Sequence, residues 1–191
     1  RENNTCPKLM HIDTSAEFWQ ARASLVSTSP TGDPLTMPDD VRLYFFAGAP
    51  HFNAWGGSAS ASEVCKYPSN PISVAPSMRA LVSAMESWVV NDIAPPASRY
   101  PGLKGDGLVA NEELNLPPLQ GEVPKPPVNE LYARNHTVVP PEEGEQYSVK
   151  VPEVDEDGIA LGGIRQPYVA VLLGTYLGWN LRDQGYAEGQ L

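Results

Sequence analysis

The chain has 191 residues, of which 41% are hydrophobic, enough for one domain with a buried core and too apolar for a disordered tail. Thirteen basic against twenty-three acidic residues give a net charge of −10, which repels phosphate backbones and argues against nucleic acid or an anionic membrane as partner. No apolar run approaches the roughly twenty residues of a membrane-spanning helix.

The first predicted element is a strand, Pro7-Lys-Leu-Met-His-Ile-Asp13, whose Leu9, Met10 and Ile12 suit a parallel strand covered on both faces. Thr14 followed by Glu17 is a capping-box signature. Phe18, Trp19, Ala23, Leu25 and Val26 then carry a helical spacing that is expected to end near Ser27. Residues 27–38 are dense in turn formers and form a surface connection. They lead into a second strand, Asp40-Val-Arg-Leu-Tyr-Phe-Phe-Ala-Gly48. Two strands joined through a helix are parallel, with a right-handed crossover.

Residues 53–62 read as a glycine-, serine- and alanine-rich loop on the rim of a site. From Pro76, an amphipathic helix with Met78, Leu81, Val82, Met85, Trp88 and Val89 is expected to cover one sheet face. From Ala94 to Lys150 the character changes. Ten of the twenty prolines fall there, and the segment reads as an irregular extension wrapped on the body, with residues 142–146 as its candidate for disorder. Glu153, Asp155 and Asp157 before Gly158 mimic a calcium loop, but its twelfth position would be Ile164, so a solvated turn is the better reading. The apolar run from Tyr168 to Asn180 is expected to be buried as a strand or docked segment.

Both predicted strands run into loops that carry candidate catalytic side chains. Asp13 and Glu17 follow the first, and His51 follows the second. Ligand sites in open α/β sheets lie beyond the carboxyl ends of strands, so an acid and a histidine there suit two parts of a triad. No nucleophile accompanies them. The nearest approach to Gly-x-Ser-x-Gly is Gly56-Gly-Ser-Ala-Ser60, which lacks the second glycine and a preceding strand. A two-stranded unit is marginal on its own, so further strands are expected from a missing N-terminal part of the same domain or from another chain.

His11 reads as a core or interface histidine and His136 as an exposed one, and neither a metal nor a cofactor is implied. Cys6 and Cys65 allow two readings. A disulfide would stabilise by about 4 kcal/mol in the chain-entropy model and would imply an oxidising, secreted or periplasmic location. The other reading is two buried thiols. Asn3-Asn-Thr5 and Asn135-His-Thr137 match the glycosylation sequon, a pattern short enough to occur by chance.

Several dissimilar motifs occur in order along nearly the whole chain. They are residues 12–19, Val41 to His51, Pro95-Pro-Ala-Ser-Arg-Tyr-Pro101, Val154 to Ile164, and Leu173-Gly-Thr-Tyr-Leu-Gly-Trp-Asn180. Together they resemble the C-terminal part of a family of esterase-like α/β-hydrolase-domain proteins with a proline-rich C-terminal extension. The resemblance implies an α/β fold formed by the last parallel strands and helices of a hydrolase, with residues 1–93 as core and residues 94–191 as the extension.

The resemblance also implies a serine hydrolase acting on small carboxylic esters. His51 would be the base and Glu17 the acid, with Asp13 as the alternative acid and the serine upstream of this chain. On that reading the chain alone is inactive. An aspartate nucleophile and a non-catalytic binding relative remain the other readings.

Overall fold

The computed structural model describes residues 3, 5–51, 64–125, 130–171, 174–186 and 188. Two parallel strands lie at its centre, β1 (Leu9–Thr14) and β2 (Val41–Phe46), paired in register from Leu9 opposite Val41 to Thr14 opposite Phe46. The two strands therefore end in step, and their following loops leave side by side. The connection is helical but broken into α1 (Ser15–Ala21) and α2 (Ser24–Ser27). The expected single helix to Ser27 is interrupted at Arg22, which takes a left-handed conformation (φ 58°) and directs the Ala23 N–H to the Glu17 carbonyl. The hydroxyl oxygen of Tyr100 lies 3.3 Å from the carbonyl oxygen of Ala23.

Phe18 from α1 packs edge-on against Phe45 and tilted against Tyr100, and these rings join Leu43, Tyr44 and Phe46 in the main core. α3 (Ala75–Asn91) has proline in its first turn and ends at Asp92 in a left-handed cap. It buries Leu81 and Trp88, but Val82 and Val89, expected in the buried stripe, are 63% and 59% exposed. The packed face is thus narrower than the spacing indicated.

Short pieces complete the fold. β3 (Leu108–Val109) pairs antiparallel with β6 (Val151–Pro152), and β4 (Tyr132–Asn135) with β5 (Glu142–Gln146). Residues 142–146, the expected site of disorder, form an exposed strand because the hairpin partner supplies backbone bonds and Arg134 ion-pairs with Glu143 at 2.7 Å. α4 (Pro167–Ala170) is a single turn. Val169 is buried while Tyr168 and Val171 are exposed, so among the described residues the C-terminal run expected to be buried is buried only in part, and Leu181 just beyond it is buried.

The proline-rich half closes the outer edge of β2 without forming a strand. Arg99 donates its N–H to the Leu43 carbonyl (2.9 Å) and accepts from the Phe45 N–H (2.9 Å). Ile164 does the same between the Phe45 carbonyl (2.7 Å) and the Ala47 N–H (3.1 Å). The Ser98 hydroxyl accepts the Leu43 N–H at 3.0 Å. The backbone groups of this edge are therefore paired one residue at a time. On the far side of the pair, β1 has no second strand neighbour among the described residues.

Cys6 and Cys65 are thiols and not a shared bridge. Cys6 precedes the amino end of β1. Cys65 belongs to a segment held at the carboxyl end, where it bridges to Arg182 and leads to Asn70 beside Gly48. A six-residue strand spans about 20 Å. A disulfide needs its Cα atoms within about 7 Å. The calcium-like segment is a turn. Asp155 accepts the N–H groups of Asp157 and Ile159 and ion-pairs with Arg165 at 2.7 Å. Gly56 to Ser60 lie outside the described residues.

Candidate active site

Because β1 and β2 end together, α1 and the loop after β2 start from neighbouring positions. Thr14 caps α1, and its N–H and hydroxyl both donate to Oε2 of Glu17, at 2.7 Å and 2.6 Å. This capping box pins one carboxylate oxygen and leaves Oε1 aimed across the strand ends. Oε1 meets Nδ1 of His51 in direct hydrogen-bond contact. The Glu17 side chain is 18% exposed and that of His51 is 54% exposed, so the acid is sheltered and the ring faces outward.

Burial alone would raise the Glu17 carboxyl. The Thr14 hydroxyl, His51 and the Thr14 N–H outweigh it and hold the group below its ordinary value of 4.5, so Glu17 is a carboxylate at neutral pH. A neutral imidazole that donates Nδ1–H to this carboxylate carries its lone pair on Nε2, the atom suited to take a proton.

Asp13 sits in a different cluster. It is 6% exposed, and its Oδ2 contacts Nε2 of His11 at 2.6 Å and accepts the hydroxyl proton of Tyr100. Burial first, and then the Asp13 carboxylate, push the Tyr100 hydroxyl far above its ordinary range, so it stays protonated as a donor. The structure therefore brings Glu17 to His51 and leaves Asp13 to join β1 to the extension. His11 is half-exposed within that cluster, and His136 is exposed at the turn between β4 and β5.

A cavity of about 310 Å³ lies elsewhere, lined by Val109, Pro117, Glu113, Glu153 and Glu156 among others. It includes neither Glu17 nor His51. Its lining offers carboxylates without a histidine.

The sequence matches the model of the alpha/beta hydrolase domain over residues 1–189. The chain belongs to the alpha/beta hydrolase domain family. Hydrolysis is the class of chemistry this membership assigns, and the fold that carries it is of the α/β type. No curated protein and no solved structure matches the chain.

Within this alpha/beta hydrolase domain, sequence reasoning overlooked Ser15, Asn70 and Gly178, which surround the two site loops. Ser15 follows the cap directly, but nothing in its spacing marks a contact with the His51 loop. Asn70 and Gly178 lie in segments with no periodic pattern at all.

Proposed function

We propose that the chain supplies the acid and the histidine of a Ser-His-acid triad in a carboxylic-ester hydrolase, with Glu17 as acid and His51 as base. The observation that carries this reading is the Glu17 Oε1 to His51 Nδ1 contact at the carboxyl ends of two parallel strands. In the reaction, a serine hydroxyl attacks the ester carbonyl while Nε2 of His51 takes its proton and then delivers it to the departing alkoxide. Water, activated by the same nitrogen, releases the acid from the acyl-enzyme. Glu17 holds the tautomer and stabilises the imidazolium that forms.

The nucleophile comes from a further N-terminal part of the domain. Two observations support this: no Gly-x-Ser-x-Gly turn occurs in the chain, and the outer edge of β1 lacks a strand neighbour among the described residues. Such an edge is a template for added strands. Residues 1–93 then carry the catalytic pair, and residues 94–191 brace it through Arg99, Tyr100 and Ile164.

Hydrolysis of a short-chain p-nitrophenyl ester by this chain, and by the same chain with its natural upstream residues, tests the reading. A serine-directed phosphonate should label only the longer protein, which alone should turn over ester. Absence of labelling and activity in both would contradict an ester-cleaving serine enzyme.

A further inference from the structure

Ser15 is the first residue of α1, is 2% exposed, and lies two residues before Glu17. Its N–H donates to the Ala49 carbonyl (3.1 Å), and its hydroxyl oxygen accepts the Gly48 N–H (3.0 Å). These bonds join the turn that carries the acid to the loop that carries the histidine. Asn70 extends the junction. Its side-chain amide donates to the carbonyls of Gly48 (2.7 Å) and Leu177 (2.8 Å), and its oxygen accepts the Ile72 N–H (2.9 Å).

The strap from Tyr176 to Leu181 is pressed onto the same point. A Cβ placed on Gly178 would collide with Cβ and Oγ of Ser15. Gly48 has a φ of +72°, and a Cβ there would meet the Tyr176 carbonyl oxygen at 2.9 Å and Val169 at 3.3 Å. At Gly178 the strap backbone lies against the Ser15 side chain, and at Gly48 the loop backbone lies against the Tyr176 carbonyl, approaches that leave no room for a Cβ and that glycine permits.

We propose that Ser15, Asn70 and Gly178 form a positioning clamp, through which the C-terminal strap sets the geometry of the Glu17–His51 pair. The clamp deepens the acid and base reading given above and rests on it. None of the three touches the reacting atoms. Their part is to hold two loops at the separation that the Nδ1 contact requires, and a displacement of about 1 Å in such a site costs on the order of a hundredfold in rate.

The ring of His51 reports the clamp directly. In the folded chain labelled with ¹⁵N-histidine and assigned with His51→Ala, the ring shifts should show the Nδ1–H tautomer, and Glu17→Gln should mix the tautomers. Ser15→Ala, Asn70→Ala and Gly178→Ala should move the His51 shifts toward the Glu17→Gln pattern. Gly174→Ala, whose Cβ meets nothing within 4 Å, should leave them unchanged.

In the enzyme with its upstream part, the three clamp variants should lower kcat by about ten- to a hundredfold with little change in KM. Thermal melting confirms folding. Should Gly178→Ala not fold, Ser15→Ala and Asn70→Ala, which add no volume, decide. Altered shifts in Glu17→Gln with wild-type shifts in both of these variants would overturn the clamp alone. Unaltered shifts in Glu17→Gln would overturn the acid–histidine pair and the clamp with it.

Discussion

Glu17 divides its two oxygens between a cap and a histidine, and each division has a measurable consequence. Thr14→Val removes the hydroxyl donor and with it part of the N-cap, so the melting temperature should fall by the equivalent of about 1 kcal/mol. Glu17→Gln keeps the shape of the side chain but loses the charge that stabilises an imidazolium. In the enzyme with its upstream part, kcat should drop on the order of a thousandfold or more.

The sign of the pH dependence follows from the same contacts. With its folded value held below 4.5, Glu17 contributes stability above that pH and loses it as the pH falls through the folded value. The stability gap between wild type and Glu17→Gln should therefore be flat near neutrality and shrink below pH 4.5 in acid titrations. Tyr100→Phe should cost about 1–3 kcal/mol in denaturant melts, because the buried Asp13 carboxylate would lose a donor.

At this scale the meeting of His51 with Glu17 could be anticipated from the sequence because each follows a strand within a few residues. Asp13 read as the alternative acid at a strand end, and the sequence did not indicate its contacts with His11 and Tyr100. Tyr100 lies 87 residues away, a separation that leaves no local signal.

β1, β2 and α3 announced themselves through apolar runs and a helical period, and their observed bounds differ from expectation by only a few residues. The closure of β2 did not announce itself. Arg99 and Ile164 each act as a strand one residue long, and a single residue has no period to read. The break at Arg22 was hidden because no glycine or asparagine marks the left-handed helix end there.

Gly163 shows how closely the extension approaches the sheet. It has a φ of +90°, and a Cβ there would collide with the ring and carbonyl of Phe45. Gly163→Ala should strain the backbone and push Ile164 off the β2 edge. A loss of about 2–3 kcal/mol is expected in urea unfolding. A stability equal to wild type would mean that Ile164 does not hold the edge.

Across the whole molecule, the two edges of the central pair differ. The extension pairs the backbone along β2, whereas β1 borders no second strand among the described residues. This asymmetry is the physical basis for the proposal that a further strand-bearing part sits beside β1, and on that proposal its addition should raise stability and sharpen cooperativity. Family membership extends over residues 1–189, so the proline-rich half belongs to the same domain match as Glu17 and His51. Its role was visible in composition only as an apolar, proline-dense segment. What it does, bracing β2 and strapping the site loops, depends on backbone hydrogen bonds that any residue type can make.

The most direct test of the central claim is the turnover of a short-chain p-nitrophenyl ester by the enzyme with its upstream part, before and after His51→Ala. The account predicts a fall in kcat of several orders of magnitude with the fold intact by circular dichroism. An unchanged kcat in the folded variant would contradict the role of His51 as the base, and with it the catalytic meaning of its contact with Glu17.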